Sequence, residues 1–600
     1  MNCRTILSGA ILALTLMLAV ASMPAQVPEG FDWDSLRDLP VQHNGRWKPL
    51  DTLSREIVFT VTGRIEPNGQ DPVGVFLCWA FDSTYWTDQP LISISNAELR
   101  SEIGLPADKT VYSFKDLQSS QKLQELSEAA RNVEGRKLDP LEQKVMDITD
   151  KMRTLQQALM GQLFLAIPHP VDARGRWMML PSPDRAAPKG LEAVHLSMLE
   201  LRTAITAPDS SAFATAAPKL KAALAALPAA YRPDAGTIQT ELTYNRLKPF
   251  RLAWILMAIG AVLGAVGLSV RQKMLDRLVV VAVMAGFAAA TWGLYLRWQI
   301  AGRVPASNMY ESLLFLGWGM GFFVVLAMAF LRGQRMVPFT ASFMGTLSLM
   351  LADILPMSPF IRPIPPVLQD TVWMSIHVPV IMVSYSVLAL AWLTAHVQIG
   401  VMALAPEKRL LAAKTDATHH WYIHMGVLLL TAGILTGSMW AASSWGRYWG
   451  WDPKEVWSLV ALLGYMAILH IRLDPRQTAP WVRWFGLALG IGVVVLVAQK
   501  LKLTGLGPIA AYAAGAFGML LLIQTRGMFA TAVKSILCFW LIIMTYVGVN
   551  YVLGMGLHSY GFGSGAIVKY VSLVGGIDLA FVAVLSLVRF VRVQPAPARA

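Results

Sequence analysis

Apolar residues follow two different patterns along this 600-residue chain. Before about residue 248 charged residues are plentiful and no apolar run is long enough to cross a bilayer, whereas from about residue 250 onward such runs recur. We therefore predict an all-α polytopic membrane protein with about 11 transmembrane helices, preceded by an N-terminal, mostly helical soluble domain. The predicted spans lie near residues 250–270, 278–296, 312–331, 337–355, 376–398, 424–442, 456–472, 482–499, 507–524, 535–553 and 572–592.

The first 26 residues are typical of a secretory signal peptide. Arg4 precedes an apolar stretch from Ile6 to Ala21, which small residues follow. An uncleaved anchor helix is the alternative, and in either case we expect the following segment to be exported. Residues 27–248 are then an extracytoplasmic accessory domain. Its predicted helical stretches lie near residues 114–162 and 211–231.

Charged residues make up 15% of the chain, and its formal net charge is +13. The basic residues fall in short clusters between apolar runs and form no face with base-reading residues, so we expect no nucleic-acid partner. The positive-inside rule instead places these clusters in the cytoplasm, together with the C-terminal tail 593–600. We expect an inner-membrane protein in which additional transmembrane helices at 249–299 precede a membrane domain at 300–592, whose loop 443–457 lies outside.

The three cysteines, Cys3, Cys78 and Cys538, lie far apart. None belongs to a C-x-x-C pair, so the chain is neither a thiol–disulfide carrier nor a zinc ribbon. The sequence also lacks the C-x-x-C-H motif that carries c-type heme, so the chain does not itself bear covalent heme.

The predicted outer loop 443–457 is dense in aromatic residues. These are Trp445, Tyr448, Trp449, Trp451 and Trp457. An interfacial aromatic belt would explain the rings, but not the intervening Gly446 and Gly450 or the neighbouring Arg447 and Lys454. The combination favours a flat, apolar, dianionic ligand, which stacks on aromatic faces while a cation meets its carboxylates. Spacing alone does not decide between Arg447 and Lys454 as that cation.

The segment Asp452-Pro-Lys-Glu455 within this loop also has a local structural role. An Asp at the N-cap, a Pro at the first helical position and a Glu three residues after the cap predict a capping box. We therefore expect the next span to begin here, which does not exclude a second role in a binding site.

Two histidines lie at outer ends of the predicted spans, His377 and His558. A single histidine at a helix end is usually an interfacial polar residue. Two on the same face as a tryptophan-rich loop form a plausible bis-imidazole pair for heme iron, because axial ligands can come from distant segments.

These motifs resemble a known family. The run Trp445-Gly-x-x-Trp449-x-Trp451-Asp452 is similar to the signature of the WWD heme-handling proteins. Further runs that resemble the CcsA branch are Asp452-Pro-Lys-Glu455, Gly554-x-Gly556-Leu-His558-Ser-Tyr560 and Ser307-Asn308-Met-Tyr310-Glu311-Ser312. This branch, also called ResC, is the membrane subunit of System II cytochrome c biogenesis. The resemblance covers about residues 300–590, and its motif is highly specific.

The resemblance implies that the ligand is heme b, which is then joined by thioether bonds to the C-x-x-C-H of an apocytochrome c. The chain would be the membrane subunit of a holocytochrome c synthase (a cytochrome c heme lyase), with a separate CcsB/ResB-like membrane subunit as its partner and membrane lipid around it. The implied heme-binding residues are His377 and His558 as axial ligands of the iron, together with Trp445, Trp449, Trp451, Asp452 and His470. His470 matches the family's intramembrane histidine, implicated in heme entry from the cytoplasm; a snorkelling residue is its alternative.

The sequence departs from the family in two places. The interval from His470 to His558 is longer than expected, and the surplus corresponds to the spans near 482–499 and 507–524; a pair of spans leaves His558 outside. The domain at 27–248 is not part of the core family, and its role is open. The role of a further group of histidines toward the cytoplasmic side is also open: His396, His419, His420 and His424.

Two other functions remain in view. A related protein could deliver or export heme to a chaperone without attaching it, and the chain could also transport heme across the membrane. A secondary transporter is disfavoured, because the distinctive residues crowd one outer surface and no internal repeat is evident.

Overall fold

A computed structural model describes residues 27–592, with gaps at 95, 107, 134–137, 183–185, 271, 332–333, 356, 365–371, 474–526 and 546–565. The predicted signal segment, the two spans expected near 482–499 and 507–524, His558 and the tail lie outside the described residues. The chain divides into two compact units. The described residues up to Leu247, together with Phe360–Pro363, form the first unit, and the other described residues from Lys248 onward form the second.

The first unit is mostly helical, with three two-stranded antiparallel sheets. Its strands are β1 (Pro40–His43), β2 (Arg46–Pro49), β3 (Pro90–Ser93), β4 (Val111–Ser113), β5 (Leu165–Ile167) and β6 (Met178–Met179), paired in sequence order. Its α-helices are α1 (Leu50–Thr62), α2 (Pro72–Phe81), α3 (Ser83–Thr87), α4 (Ala97–Glu102), α5 (Phe114–Gln118), α6 (Gln121–Arg131), α7 (Pro140–Leu159), α8 (Glu192–Thr206), α9 (Ser210–Ala226) and α10 (Ala235–Leu247). The long helical stretch expected near 114–162 is therefore divided into three helices.

Local sequence accounts for several of these boundaries. Asn44 and Gly45 adopt φ values of 50° and 71°, the left-handed conformation that a two-residue hairpin turn requires, and so join β1 to β2. Asp139 starts α7 through a capping box: its carboxylate accepts from the amide of Glu142 at 2.8 Å, and the Glu142 carboxylate accepts from the amide of Asp139 at 2.8 Å.

A buried ionic network surrounds the β1–β2 hairpin. The ammonium of Lys48 donates to the carboxylate of Glu56, and both side chains are almost fully buried. Nδ1 of His43 lies 3.6 Å from the same carboxylate. Arg46 of β2 donates two hydrogen bonds, at 2.7 and 2.8 Å, to Glu241 of α10. Because a buried charge is costly without its partner, these ion pairs fix the hairpin against α1, which carries Glu56, and against α10, which carries Glu241.

We expect Glu56→Gln to destabilise the first unit by about 3 kcal/mol near neutral pH, because Lys48 would remain buried without its counter-ion. Burial raises the pKa of Glu56, but His43 and Lys48 outweigh it and hold that pKa at about 2, below its ordinary value of 4.5. The stabilisation by this carboxylate is thus present above pH 4.5 and lost as the pH falls toward 2.

Urea-dependent proteolysis of the purified full chain, with thermolysin at neutral pH and pepsin in acid, measures this difference. The stability gap between the wild type and the glutamine variant should narrow across that acidic window. A gap that stays constant there would contradict the assignment.

The second unit is a bundle of apolar helices. They are α11 (Pro249–Ser269), α12 (Lys273–Ala301), α13 (Met309–Phe330), α14 (Met336–Ile354), α15 (Val372–Leu404), α16 (Arg409–Trp445), α17 (Pro453–Leu473), α18 (Met528–Ile543) and α19 (Ala566–Arg592). Within the described residues, seven helices of the protein are long and apolar enough to cross a membrane. The protein is therefore a polytopic membrane protein, while the expected total of about 11 spans stays a prediction.

Helix α15 lies at the centre of the second unit. It packs along most of its length against α16 and also contacts α13, α14, α18 and α19. Helix α17 packs against α16 and α18, while α11, α12 and α14 pack together beside α13. With 33 and 37 residues, α15 and α16 are longer than the spans expected at 376–398 and 424–442. Each is about 50 Å long or more, which exceeds the thickness of a hydrocarbon core.

Candidate functional site

A cavity opens in the second unit where one end of α15 meets the beginnings of α13 and α17 and the end of α16. Its empty volume is about 1090 Å³, part of it continuous with solvent. Apolar atoms form most of its surface, and the polar and aromatic residues that line it are Ser307, Asn308, Ser312, His377, Tyr385, Ser438, Trp440, Tyr448, Trp449, Lys454, Glu455, Ser458 and Thr545. A largely apolar cavity with few convergent polar groups is the usual form of a small-molecule site.

His377 lies in the second turn of α15 and lines this cavity. Its Nδ1 donates to the backbone carbonyl of Gly433 on α16 at 2.8 Å. This bond selects the tautomer whose lone pair is on Nε2, the arrangement typical of a histidine that ligates a metal. The ring of Trp440 stacks beside the imidazole, with centroids 5.9 Å apart and planes 16° apart. Two groups of α16 thus set the orientation of this imidazole.

Gly437 allows the imidazole of His377 to lie directly on the surface of α16. A Cβ atom at residue 437 would lie 2.7 Å from Cε1 of His377 and 2.9 Å from its Nδ1. Any larger residue would therefore displace the ring. Gly433, one turn away, supplies the carbonyl that accepts from Nδ1.

The tryptophan-rich loop is shorter than the expected 443–457. Helix α16 continues to Trp445 and α17 begins at Pro453, so the connection spans Gly446 to Asp452. Gly446 ends α16 in the left-handed conformation, with φ of 71°. Trp451 adopts φ of 56°, which is rare and strained for a side chain of this size.

The predicted tryptophans occupy different surroundings. Trp449 lines the cavity, whereas the ring of Trp451 meets that of Trp449 edge to face at 5.9 Å and is 72% exposed. Trp445 packs against Trp440, with ring centroids 4.9 Å apart. Trp440 also lines the cavity and is buried; the sequence did not indicate it, because it lies inside a predicted span and not in the loop 443–457.

The N-cap bonding predicted at the start of α17 is present, with Asp452 bonded to the second helical amide. The Asp452 carboxylate accepts from the amide of Lys454 at 3.1 Å, and the Glu455 carboxylate accepts from the amide of Asp452 at 3.1 Å. Glu455 also accepts from the amide of Gly450 at 2.8 Å. The two carboxylates therefore hold the loop that carries Trp449 against the helix.

The opposite side of the cavity is held by a buried ionic cluster. The carboxylate of Glu311, at the beginning of α13, accepts from Arg297 at 2.8 and 3.0 Å, from Arg303 at 3.4 Å and from the amide of Ser307 at 2.7 Å. Asn308 caps α13 by accepting from the amide of Glu311 at 2.9 Å. In the sequence this segment, Ser307 to Ser312, stood out only for its resemblance to the CcsA branch. In the structure it places Ser307 and Asn308 on the cavity wall.

The other histidines lie elsewhere in the described structure. His470, in the last turn of α17, is exposed, does not line the cavity, and donates to the carbonyl of Met466 at 2.8 Å. The rings of His420 and His424 meet edge to face at 4.2 Å. Among the described residues, no group of three or more His, Cys, Asp or Glu is placed to hold a metal ion. His558 lies outside the described residues, so its distance from His377 stays open.

His396 takes part in a separate polar cluster between α15, α18 and α19. Its Nδ1 donates to the carbonyl of Trp392 at 2.8 Å, and its Nε2 lies 2.6 Å from the carboxylate of Asp578. The indoles of Trp540 and Trp392 donate to the other oxygen of Asp578, at 2.7 and 3.3 Å. Both imidazole nitrogens are thus engaged, so His396 is unsuited to ligate iron in this arrangement.

The chain is similar to a family model and to several known proteins. A family model described as cytochrome C assembly protein matches residues 306–504. Protein NrfI of Wolinella succinogenes is 30% identical over 454 residues, which cover 72% of this chain and 49% of NrfI. The chain thus spans about half the length of that relative.

Shorter relatives are covered more completely. The cytochrome c biogenesis protein CcsA of Synechococcus sp. strain RCC307 is 30% identical over 292 residues, which cover 42% of this chain and 92% of that relative. CcsA of Synechococcus elongatus is 32% identical over 228 residues, which cover 30% of this chain and 70% of that relative. A solved structure titled cytochrome c heme lyase CcmF is 17% identical, with a TM-score of 0.31 over 62% of this chain and 59% of that chain, too low for a comparison of folds.

A helical membrane bundle with a mainly apolar cavity is a general ligand-binding architecture. The sequence relatives assign this bundle to a family. The chain belongs to the CcsA family of cytochrome c biogenesis proteins.

We expect Asp452→Ala to loosen the first turn of α17, because the N-cap acceptor is lost at a cost of about 1 kcal/mol. Backbone amides in the segment 454–458 should exchange with solvent deuterium about fivefold faster, measured by mass spectrometry on the purified protein. Asp452→Asn is the matched control, since it keeps an acceptor oxygen and should exchange at nearly the wild-type rate. Equal protection in the alanine variant and the wild type would contradict the capping role.

Proposed function

We propose that this chain binds heme b in the cavity beside His377 and presents it for thioether attachment to the C-x-x-C-H motif of apocytochromes c. The observation that carries the proposal is His377 itself: it lines an aromatic cavity with Nδ1 bonded to a backbone carbonyl, which directs the lone pair to Nε2. Neutral imidazole in this tautomer is a good ligand for heme iron.

The surroundings of His377 suit a flat, apolar macrocycle. Trp449 and Tyr448 line the cavity and offer aromatic surface to a porphyrin. The ring of Trp440, nearly parallel to the imidazole of His377, would meet the plane of a ligated macrocycle with its edge. Trp445 supports Trp440 from behind, and Asp452 holds the loop that carries Trp449. The exposed ring of Trp451 would extend this aromatic surface toward an incoming protein.

The remaining parts of the proposal rest on the sequence. His558 is the second axial ligand, and His470, at the far end of α17 from the loop, lies on the path of heme entering from the cytoplasm, so that the chain also takes part in moving heme across the membrane. The loop and the first unit face outward and the C-terminus faces the cytoplasm, in accordance with the positive-inside rule. A CcsB/ResB-like membrane subunit completes the synthase.

The chemistry of attachment belongs largely to heme and the cytochrome thiols. Each thiol adds across a vinyl group: a carbon–sulfur bond forms, the thiol proton passes to the other vinyl carbon, and no oxidant is consumed. The protein contributes proximity and orientation, which can supply much of the barrier reduction in such a step. The histidine of the cytochrome motif then replaces one axial imidazole, and the product leaves.

We expect His377→Ala to remove most heme from the detergent-purified protein, because one axial ligand is lost, and His558→Ala to have the same effect. The measurement is the heme absorption spectrum, together with covalent heme on an apocytochrome co-expressed with the chain and its partner subunit. A double variant that retains heme and still attaches it would exclude the ligation. Heme binding without covalent product in the wild type would instead favour delivery to a chaperone.

A steric variant tests the orientation of His377 without removing it. Gly437→Ala would place a methyl group against the imidazole and should weaken heme binding about 10- to 100-fold, as loss of a group that orients a metal ligand does. Gly400→Ala in α15 is the matched control, because a Cβ at residue 400 meets no atom within 4 Å. Equal heme affinity in the two alanine variants would contradict the proposed geometry.

A further inference from the structure

We propose that Lys454 is a specificity residue of the cavity, which recognises a carboxylate of the bound tetrapyrrole. This inference rests on the proposed heme-binding function and deepens it by naming which part of the ligand the first turn of α17 contacts. It assigns to the cavity a preference for porphyrins with free acid side chains.

The structure distinguishes Lys454 from Arg447, the two cationic residues of the loop segment, by their position relative to the cavity. Lys454 lines the cavity, and among its described lining residues it is the one lysine or arginine. Arg447 is exposed and does not line the cavity; its guanidinium lies over Gly450, where a Cβ atom would come within 2.1 Å of its Cζ. Arg447 thus covers the backbone of its own loop, and Lys454 is the cation placed to meet the ligand.

The negative charge of Glu455, on the same wall of the cavity, is largely offset by its hydrogen-bond donors. Glu455 lines the cavity, but its carboxylate accepts from the amides of Gly450 and Asp452 at the N-terminus of α17. Backbone amides and the positive end of the helix dipole offset its charge, so repulsion of an anionic ligand is reduced. The carboxylate is committed to the cap, and Lys454 lines the cavity from the same turn.

The opposite wall is fixed by the buried ionic cluster. Arg297 and Arg303 both pair with the carboxylate of Glu311. Arg303 also donates to the hydroxyl of Ser307 at 2.9 Å, and Ser307 lines the cavity. The carboxylate on this side is thus paired within the cluster, and the wall presents the neutral hydroxyl of Ser307 to a ligand.

A carboxylate contact at Lys454 has a consequence for orientation. In heme b the two propionates are on the pyrrole rings that do not carry the vinyl groups. A contact that holds a propionate at the first turn of α17 therefore directs the vinyl-bearing rings away from that turn. A protein that presents vinyl groups requires this fixed orientation of the macrocycle. A charge-assisted hydrogen bond supplies the orientation with a modest contribution to the binding free energy.

The test compares hemin with hemin dimethyl ester, which keeps the iron and vinyl groups but lacks acid side chains. Absorption titrations of the detergent-purified full chain give both dissociation constants. We expect the wild type to prefer hemin by about tenfold or more, the value of a charge-assisted hydrogen bond. Lys454→Gln should weaken hemin binding to the level of the diester while leaving diester affinity unchanged.

Three further variants keep the result interpretable. Lys454→Arg should restore the preference, and Arg447→Gln, which removes an equal charge outside the cavity, should retain it. Lys454→Met preserves the alkyl stem and should reproduce the glutamine result, with diester binding as evidence that the variant is folded. A wild-type preference that persists in both the glutamine and methionine variants, or is lost in Arg447→Gln, overturns the inference.

Failure of the inference is distinguishable from failure of the proposed function. If the wild type binds hemin and its diester equally well, heme binding stands and recognition by Lys454 is wrong. If the wild type binds neither porphyrin, the proposed function itself fails.

Discussion

The close approach of α15 to α16 is the contact on which the cavity depends. Three glycines of α16 face α15: Cβ atoms at Gly426, Gly433 and Gly437 would lie 2.5–2.7 Å from side chains of Leu388, Ile381 and His377. In a membrane, lipid tails are as apolar as leucine, so helices associate where small residues let their backbones come close. Because these glycines have no side chains, the two helices can meet. For the same reason the imidazole of His377 can reach the backbone carbonyl of Gly433.

Polar groups fix the positions of the helices around this contact. Glu311 joins α13 to Arg297 of α12, and Arg297 also donates to the carbonyl of Pro359 at 2.7 Å. Asp578 joins α19 to α15 and α18 through His396 and two indoles. Each bond adds little stability, but a polar group without its partner in an apolar bundle is costly. Such clusters therefore restrict the number of ways in which the helices can pack.

The loop between α16 and α17 shows how a local motif serves a site. Asp139-Pro-Leu-Glu142 in the first unit and Asp452-Pro-Lys-Glu455 in the second both begin a helix with the N-cap aspartate and the glutamate bonded as a capping motif. In the second case the glutamate also binds the amide of Gly450, which anchors the strained backbone at Trp451. The motif is thus an ordinary helix start that here also holds an aromatic ring at a cavity.

The sequence by itself determined the membrane class, the start of α17 and the family, because apolar run length, capping and motif spacing are local properties of the chain. It also indicated His377 and the aromatic loop as a candidate site. Only the tertiary structure decided how the tryptophans are divided: Trp449 lines the cavity, Trp451 is exposed, and Trp440 lines the cavity from inside a helix. It also decided that His396 is bonded to Asp578. Finally, it decided that Lys454 rather than Arg447 lines the cavity. These outcomes depend on which residues of distant helices meet across a packed interface. They also depend on the directions that two left-handed residues, Gly446 and Trp451, impose on the loop. The periodicity of apolar residues along one segment encodes neither of these.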